Sequence, residues 1–588
     1  MPDGVRGAPD GARSASIVAR PAASSSALER VLSPRLARIY ATRGVTDPAE
    51  LDLSLGALLS PDDLNGAREA AVVLADAIER ERHIKIVGDI DADGATASAL
   101  CVLALRAMGG KRVSYLVPNR FEFGYGLSPE IVALALEDAP NVIVTVDNGV
   151  SSIEGVAAAR AAGVDVIVTD HHLPGRELPN ATVIVNPNLA DSAFGSRALA
   201  GVGVAFYVMS VLRAVLRERG WFDRAGIAAP NMADYLDLVA LGTVADVVPL
   251  DRNNRILVQQ GLRRIRSHRT RPGIVALCEA AGRARTALQA ADLGFALGPR
   301  LNAAGRLDDI SIGIRCLLSD SVVEARALAT ALEELNASRR ALEAKMTQEA
   351  ELIVAGLSVD APRLGLSLYD PTWHQGVVGI VAARVRERFH RPAIAFADAG
   401  PIAPDEVKGS ARSIPSVHVR DALDAIATRY PGLIRKFGGH AMAAGLTIHR
   451  MHFERFQRAF AEEVARWVTE DDLRGVLVSD GELDASELEL SLAREIARAG
   501  PWGQGFPEPL FHGHFELVHQ RVVGEKHTRM MLRSGKRVVD GIAFNRLPLT
   551  DAKEALVAYR LGVNDWGERD TLQLVVEHIE SCASDAAA

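Results

Sequence analysis

Over the first half of this chain, short apolar runs alternate with longer alanine-rich stretches. The runs at 84–87, 113–117, 142–146, 164–169 and 183–185 are rich in Val and Ile and read as strands. Between them, 95–108 and 153–162 carry Ala and Leu at helical spacing. Strands joined through helices form a parallel sheet covered on both faces, so the pattern predicts an α/β domain. A helix over 232–245 closes it, immediately before Asp246.

The pattern then changes three times. From about 254 to 357 it is helical, and 322–357 has no Pro and a single late Gly, which predicts one long connecting helix. Residues 363–448 return to α/β, with strands near 364–369 and 393–396. From 471 to 579, short alternating runs at 513–518, 529–532 and 571–577 predict a β-rich unit that fits a small barrel of the OB type. A chain of 588 residues is too long for one core. The expected division is a disordered tail (1–27), a parallel-sheet domain (28–253), a helical region with the long connecting helix (254–357), a smaller α/β domain (358–465) and an OB-like domain (466–588).

Composition narrows the class rather than the chemistry. Hydrophobic residues make up 48% and charged residues 24%, as in ordinary globular proteins. The net charge of −8 argues only weakly against a nucleic-acid partner, because clustered carboxylates that hold cations contribute to it. Cys101, Cys278, Cys316 and Cys582 are scattered without a CxxC pair and read as free thiols in a reducing compartment. The longest uncharged apolar stretch, near 198–212, is short of the roughly 20 residues a membrane span needs. The segment before Leu28 is mostly Ala, Ser, Gly, Pro and Arg without an apolar core, which favours a disordered tail over a signal peptide and leaves a transit peptide open.

The candidate chemistry sits where predicted segments end. Asp89, Asp91 and Asp93 follow the first strand, Asp147 follows 142–146, Asp170-His171-His172 follows 164–169, and Asp246 follows the closing helix. Open α/β sheets gather such termini at one rim. Many hard carboxylates with one or two imidazoles suit Mn²⁺ or Mg²⁺ better than a structural zinc. Two such ions about 4 Å apart acidify a bridging water and neutralise phosphoryl oxygens, which is what phosphodiester hydrolysis requires. Asp91, Asp93, Asp147, His171 and Asp246 supply that ligand set, and Asp89 can join it. Any one of these alone has a plainer reading: Asp93 before Gly94 could cap a helix, and the paired histidines could lie in a surface loop. Their joint occurrence in one domain points to a two-metal phosphoesterase.

The second α/β domain carries three glycine-rich motifs. Gly376-Val377-Val378-Gly379 opens a helix, and Gly438-Gly439-His440-Ala441-Met442 opens another small-residue stretch. Lys408-Gly409-Ser410-Ala411-Arg412-Ser413 combines a small turn with cations and hydroxyls suited to phosphate. Glycines also mark ordinary turns and close packing, so each motif alone says little.

The motif series GDIDADG, TVDNG, VTDHHLPG and GTVAD resembles that of the DHH phosphoesterase superfamily. LVPNRFEFGYGLSPE (116–130), NPN (186–188), LAGVGVAFY, DLVALGTVADVVPL, LGFALGPRLNAAGRLDD, WHQGVVGIVAARVRERF, KGSARS and KFGGHAMAAGL narrow the resemblance, over nearly the whole chain from about residue 30, to the RecJ single-stranded-DNA exonucleases. The resemblance implies a DHH domain, a DHHA1 domain and an OB-like domain, and hydrolysis of single-stranded DNA 5′→3′ to 5′-mononucleotides with two Mn²⁺ or Mg²⁺ ions. It implies that Asp91, Asp93, Asp147, His171 and Asp246 are the metal ligands, with Asp147 bridging, and that His172 stabilises or protonates the leaving oxygen. Many superfamily members have a histidine four residues before the aspartate matching Asp91; this chain has Val87, which implies a first ion held by carboxylates, with Asp89 or water filling in. Arg120, Ser410 and Arg412 resemble the residues that hold the 5′-phosphate end. Arg300, Asn302, Arg306, His374 and Gln375 resemble strand contacts, and Gly439 and His440 fall in the same substrate-binding group. Trp502, Phe506, Phe511 and Phe515 are candidates for base stacking, with barrel core the favoured alternative. The resemblance also implies a cytoplasmic monomer, off the membrane, that serves mismatch repair, base-excision repair and recombination beside single-strand-binding protein and a RecQ-type helicase. A small-substrate DHH hydrolase is disfavoured by the long helix and the extra C-terminal domain. A non-catalytic DNA-binding scaffold is disfavoured because the whole ligand set is present.

Overall fold

The computed structural model describes residues 15–118, 126–356, 364–401, 403–469, 471–550, 552–564 and 569–582. Its first strand, β1 (Ala15–Ala19), lies in the stretch expected to be a disordered tail and pairs in parallel with a strand at Gly475–Ser479. Ser16-Ile17-Val18 is too short to stand alone, and the partner that satisfies its backbone lies roughly 460 positions away, beyond the reach of local pattern.

The sheet of the first domain is parallel, with β2 (Ile84–Gly88), β3 (Val113–Leu116), β4 (Val142–Val146), β5 (Asp165–Thr169) and β6 (Val183–Val185) in the order β3-β2-β4-β5-β6. Its register levels the carboxyl ends: Gly88 pairs with Val146, Val146 with Thr169, and Thr169 with Val185. The next residue of each strand (Asp89, Asp147, Asp170 and Asn186) therefore emerges at one rim. The helix Ala92–Ala107 is buried along nearly its whole length, and the helices Gly201–Glu218 and Leu236–Ala245 pack on it. The closing helix is shorter than expected: Met232–Tyr235 is a tighter 3-10 turn, and the α-helix proper begins at Leu236.

The long helix spans Val322–Ala355, with the Ser321 side chain accepting from Glu324 N at its start. Beyond it, β7 (Leu366–Tyr369), β8 (Ala393–Asp398), β9 (Glu406–Arg412), β10 (Lys436–Gly439) and β11 (Ala443–His449) form a mixed sheet in the order β10-β11-β9-β8-β7. Alternation along β8 sends Ala393, Ala395 and Ala397 toward the Val378–Phe389 helix and the end of the long helix. Ile394 and Phe396 face the Val419–Arg429 and Phe453–Val464 helices. One expectation is corrected here: the Lys408–Arg412 motif runs along strand β9, not through a turn. The Gly438–Met442 motif ends β10 and makes the turn of the β10–β11 hairpin, because both flanks find ladder partners across it.

The C-terminal unit is joined through β12 (Gly475–Ser479), the partner of β1. It is a closed barrel of β13 (Phe511–Val523), β14 (His527–Ser534), β15 (Arg537–Ala543), β16 (Glu554–Asn564) and β17 (Thr571–Ser581), in the order β13-β14-β15-β17-β16, with only β15–β17 parallel. That is the five-stranded barrel of OB folds. Phe511 and Phe515 fill its core with Tyr559. Trp502 and Phe506 stack with centroids 5.2 Å apart in the seam between barrel and first domain, where the Arg255 guanidinium lies 4.1 Å over Phe506. Leu250 N, four residues past Asp246, donates to Gln504 O at 2.7 Å.

Asp480 closes the same seam. Its carboxylate takes two bonds from Arg43, at 2.7 and 2.9 Å, and the two side chains are 2% and 0% exposed. Removing one partner of a buried pair leaves an uncompensated charge. Asp480→Ala should therefore lower stability by about 3–5 kcal/mol in a denaturant melt; a loss well under 1 kcal/mol would contradict this role.

Candidate metal centre

The rim carboxylates reach the site by different local devices. Asp91 is the N-cap of the Ala92–Ala107 helix, its Oδ1 accepting from Asp93 N and Gly94 N at 3.0 Å each. The cap role considered for Asp93 thus falls to Asp91. Asp93 is buried and accepts instead from Gly201 N (2.6 Å) and Val202 N (2.9 Å), at the start of the Gly201–Glu218 helix. Asp147 sits at φ +63°, a left-handed conformation that Asp tolerates better than most residues and that bends the chain sharply after β4. A Cβ on Gly201 would come within 2.5 Å of Asp147 Cβ, so only glycine lets that helix approach Asp147.

These side chains converge with His171 and Asp246. His171 Nε2 lies 3.1 Å from Asp147 Oδ1 and 3.5 Å from Asp246 Oδ2. All three atoms are buried and none makes a hydrogen bond. Potential ligand atoms fall into three overlapping groups: Asp89, Asp91 and Asp147; Asp93, His171 and Asp246; and Asp147, His171 and His172. Asp147 shared between groups is what a bridging carboxylate requires. Val87 is buried in the core beside Leu127 and Ile143, so the carboxylate group at Asp89 has no imidazole from that strand.

Electrostatics fit the same donor set. Burial, then Asp93, Asp91 and other carboxylates, push Asp147 well above the usual carboxyl range. Burial, then Asp246 and Asp91, do the same to Asp93. Burial and Asp91 raise Asp246 to about 7. Burial, with His172 beside it, lowers His171 to about 4, which leaves a neutral imidazole with a lone pair for a cation. Unpartnered buried acceptors and mutually repelling carboxylates are the state that divalent cations relieve, so the residues fit Mn²⁺ or Mg²⁺.

His172 is set apart by Asp170, which sequence reasoning leaves without a role although it is the first letter of the motif. Asp170 Oδ1 accepts from His172 Nδ1 at 2.8 Å and from both histidine backbone N–H groups, and Oδ2 accepts from Val150 N. Burial opposes the charged imidazole, but Asp170 outweighs it and brings His172 to about 9. Asn186 and Asn188 of the NPN motif hold the backbone oxygens of His172 (2.9 Å) and His171 (2.6 Å).

A pH dependence follows. Between pH 6.5 and 8 His171 is neutral in the folded chain, and loss of the remaining charge on the unfolded imidazole adds only about 0.4 kcal/mol of stability as pH rises, less than the opposing losses. A carboxyl raised by folding stabilises below its unfolded value, and that stability is lost as pH rises through its folded value. For Asp246 the loss completes near 7, and the raised His172 adds a loss in the same direction as pH climbs toward about 9. The metal-free protein should thus melt lower at pH 8 than at pH 6.5, and the rise in Tm on adding Mn²⁺ should be larger at pH 8. A rise independent of pH would contradict the cluster's role.

The candidate substrate residues fare unevenly. Arg120 lies outside the described residues. Arg300 is not placed as a strand contact: it is buried, paired with Glu333 of the long helix at 2.6 Å, and donates to the carbonyls of Ala296 and Ala280. Both terminal nitrogens of its guanidinium are thus engaged within the protein. Asn302 Oδ1 accepts from Ala92 N at 2.7 Å and so steadies the metal loop. Arg306 donates to Gly376 O (3.2 Å) across to the second α/β domain, and His374 Nδ1 accepts from Gly376 N there, with Gln375 half-buried between them.

Ser410 and Arg412 come together with the start of the Val378–Phe389 helix. Arg412 Nη1 donates to Ser410 Oγ (3.0 Å) and to Ala411 O (2.8 Å), and no described carboxylate pairs with its guanidinium. A Cβ on Gly379 would sit 3.0 Å from Ser410 Oγ and 3.1 Å from Arg412 Nη2, so the helix N-terminus abuts the pocket. Burial and Arg386 disfavour the charge on Arg412. Gly439 and His440 are exposed on the hairpin turn. Burial, Arg412 and then His172 lower His440, which sets the pocket opposite the metal rim.

Family models match three segments: the DHH family N-terminal domain at 83–243, the DHHA1 domain at 354–470 and the RecJ OB domain at 479–578. The single-stranded-DNA-specific exonuclease RecJ of Dickeya dadantii is 55% identical over 552 residues, covering 92% of this chain and 95% of the relative. That of Escherichia coli is 52% identical over 556 residues, covering 93% and 96%. Among solved structures, RecJ of Thermus thermophilus in complex with Mn²⁺ superposes with a TM-score of 0.79 at 31% identity, covering 96% of this chain and 79% of that one. Its complex with Mg²⁺ gives 0.72 at 29% identity, covering 96% and 78%.

Proposed function

From the premise that the chain belongs to the RecJ family of single-stranded-DNA-specific exonucleases, we propose how its residues divide the work. The protein is a metal-dependent exonuclease of single-stranded DNA that uses Mn²⁺ or Mg²⁺. The observation that carries the assignment of the centre is the meeting of Asp147 Oδ1, His171 Nε2 and Asp246 Oδ2, buried and without hydrogen bonds, at the sheet rim.

Asp91, Asp93, Asp147, His171 and Asp246 hold two divalent cations, with Asp89 completing the carboxylate-only group. Bound there, the cations supply an acidified water and neutralise phosphoryl oxygens. Asp147, buried and fixed by its turn, serves both ions. His172, charged through Asp170 and 47% exposed, offers a proton to the departing 3′-oxygen. Opposite, Ser410, Arg412 and the helix N-terminus at Gly379 take the terminal 5′-phosphate, with His440 at their edge. A terminus anchored beside the cations is cut one nucleotide in, which gives 5′→3′ polarity and 5′-mononucleotide products. Arg306, His374 and Gln375 line the crossing between domains, and Asn302 acts by holding the metal loop.

The domains we assign are a metal domain at 28–253, a helical region at 254–357, a substrate domain at 358–465 and a barrel that extends the strand's path at 466–588. Among the described residues no helix is long and apolar enough to cross a membrane. The family reading extends to a cytoplasmic monomer working in recombination and repair with single-strand-binding protein and a RecQ-type helicase. Substrate class is tested by offering single-stranded DNA, blunt duplex, short RNA and a cyclic dinucleotide to the Mn²⁺-loaded protein. Turnover of single-stranded DNA but not duplex supports the reading; turnover confined to the small ligands overturns it.

A further inference from the structure

Phe295 is 88% exposed, the most exposed large hydrophobic side chain among the described residues. It stands in a π-helical turn, Leu293–Leu297, that leads directly into the helix Gly298–Leu307. Such wide turns are uncommon and occur frequently at functional sites. This one is clamped against the last turn before Asp246. A Cβ on Gly294 would meet Val244 Cγ1 at 3.1 Å, and one on Gly298 would meet Ala245 Cβ at 2.9 Å.

The following helix shows which way this surface faces. Phe295, Pro299, Asn302 and Arg306 are spaced i, i+4, i+7 and i+11, so they share one stripe at 3.6 residues per turn. All four are at least partly exposed, whereas Leu297, Gly298, Leu301, Ala304 and Gly305 are buried. The far end of the stripe is fixed by two contacts already described: Asn302 on the metal loop at Ala92 N and Arg306 on Gly376 O of the DHHA1 domain. The stripe therefore runs along the crossing between the two domains, and the ring stands at its outer end, roughly 16 Å from Arg306 at 1.5 Å per residue. Val247, two residues past the Ala245 that Gly298 packs on, is also exposed.

We propose that Phe295 is a stacking platform for a nucleobase of the single strand as it approaches the metal rim. The inference rests on the exonuclease reading, because a nucleobase is the flat apolar group that this substrate brings to the crossing. Every base offers such a face, so the contact adds affinity without sequence preference. A ring held on a clamped helical turn loses little freedom on stacking. The phosphate-binding residues grip the 5′ end, whereas Phe295 grips a base farther along and keeps the strand in line between successive cuts.

The test uses the full-length protein and a 5′-phosphorylated, 3′-labelled oligodeoxynucleotide, with binding read by anisotropy in EDTA and KM read with Mn²⁺. Phe295→Ala should weaken binding about tenfold and raise KM, while Phe295→Trp, which keeps an aromatic face, should stay within about twofold of the native protein. A set of strands with one abasic position each locates the stacked base: at that position the native protein should fall to the affinity of Phe295→Ala, and the variant should lose nothing more. Binding of Phe295→Ala within about twofold of native on the intact strand overturns the proposal, as does a loss that every abasic strand leaves unchanged. Native protein that releases mononucleotides from the same strand keeps the exonuclease reading intact in either case; native protein that does not release them refutes that reading instead.

Discussion

Asp147→Ala should abolish cleavage, by roughly a thousandfold or more, while single-stranded DNA still binds within a few-fold of native. The expectation follows from position. Asp147 belongs to two of the three candidate ligand groups, and its Oδ1 lies 3.1 Å from His171 Nε2. On the proposed assignment, removing a shared carboxylate would disturb both cation sites at once, whereas the phosphate pocket proposed at Ser410 and Arg412 lies in a separate domain and would be left intact. Ala is also strained at φ +63°, so Asp147→Asn is the companion variant, since Asn tolerates that conformation. Repulsion among the buried carboxylates falls when this one is neutral, so metal-free Asp147→Asn should melt no lower than the native protein, yet be equally inactive. Turnover within about tenfold of native in either variant, measured as acid-soluble nucleotide release, would remove Asp147 from the bridging position.

The second large effect is expected at Arg412. Its guanidinium donates to Ser410 Oγ and Ala411 O and lies against a helix N-terminus, an arrangement that favours an anion. Hydrogen bonds to a charged group contribute about 1.5–3 kcal/mol each, so Arg412→Ala should reduce the preference for a 5′-phosphorylated over a 5′-hydroxyl strand by roughly ten- to hundredfold. Cleavage of the 5′-hydroxyl strand should change much less, because that substrate never made the lost bonds. The ratio of kcat/KM for the two strands, taken for native and variant proteins, decides the matter. An unchanged ratio would move the terminal-phosphate pocket elsewhere.

The metal rim is legible in the sequence because its signal is local. Strand runs end where Gly88, Val146 and Thr169 end, and a parallel register does no more than level those ends. The barrel is legible as alternation, and its closure and order are not, because they depend on which strands pair. Partner choice over long distance explains the other gaps. Residues 15–19 look like tail because their ladder partner lies at 475–479. Arg300 looks like a strand contact because nothing near it in sequence announces Glu333. The Gly438-Gly439 pair reads only as opening a small-residue stretch, and its place in a hairpin emerges only when 443–449 pairs back across it. Asp170 has no role in the sequence beyond its place in the motif, because only the 2.8 Å contact shows it holding His172.

The most direct measurement follows a 5′-phosphorylated, 3′-labelled single strand after Mn²⁺ is returned to EDTA-stripped protein. The label should remain on a ladder that shortens one nucleotide at a time from the 5′ end, with 5′-mononucleotides as the other product and no change without the metal. Label released at the outset as a mononucleotide, or cleavage that proceeds undiminished in EDTA, would contradict a metal-dependent 5′→3′ exonuclease built on Asp147, His171 and Asp246.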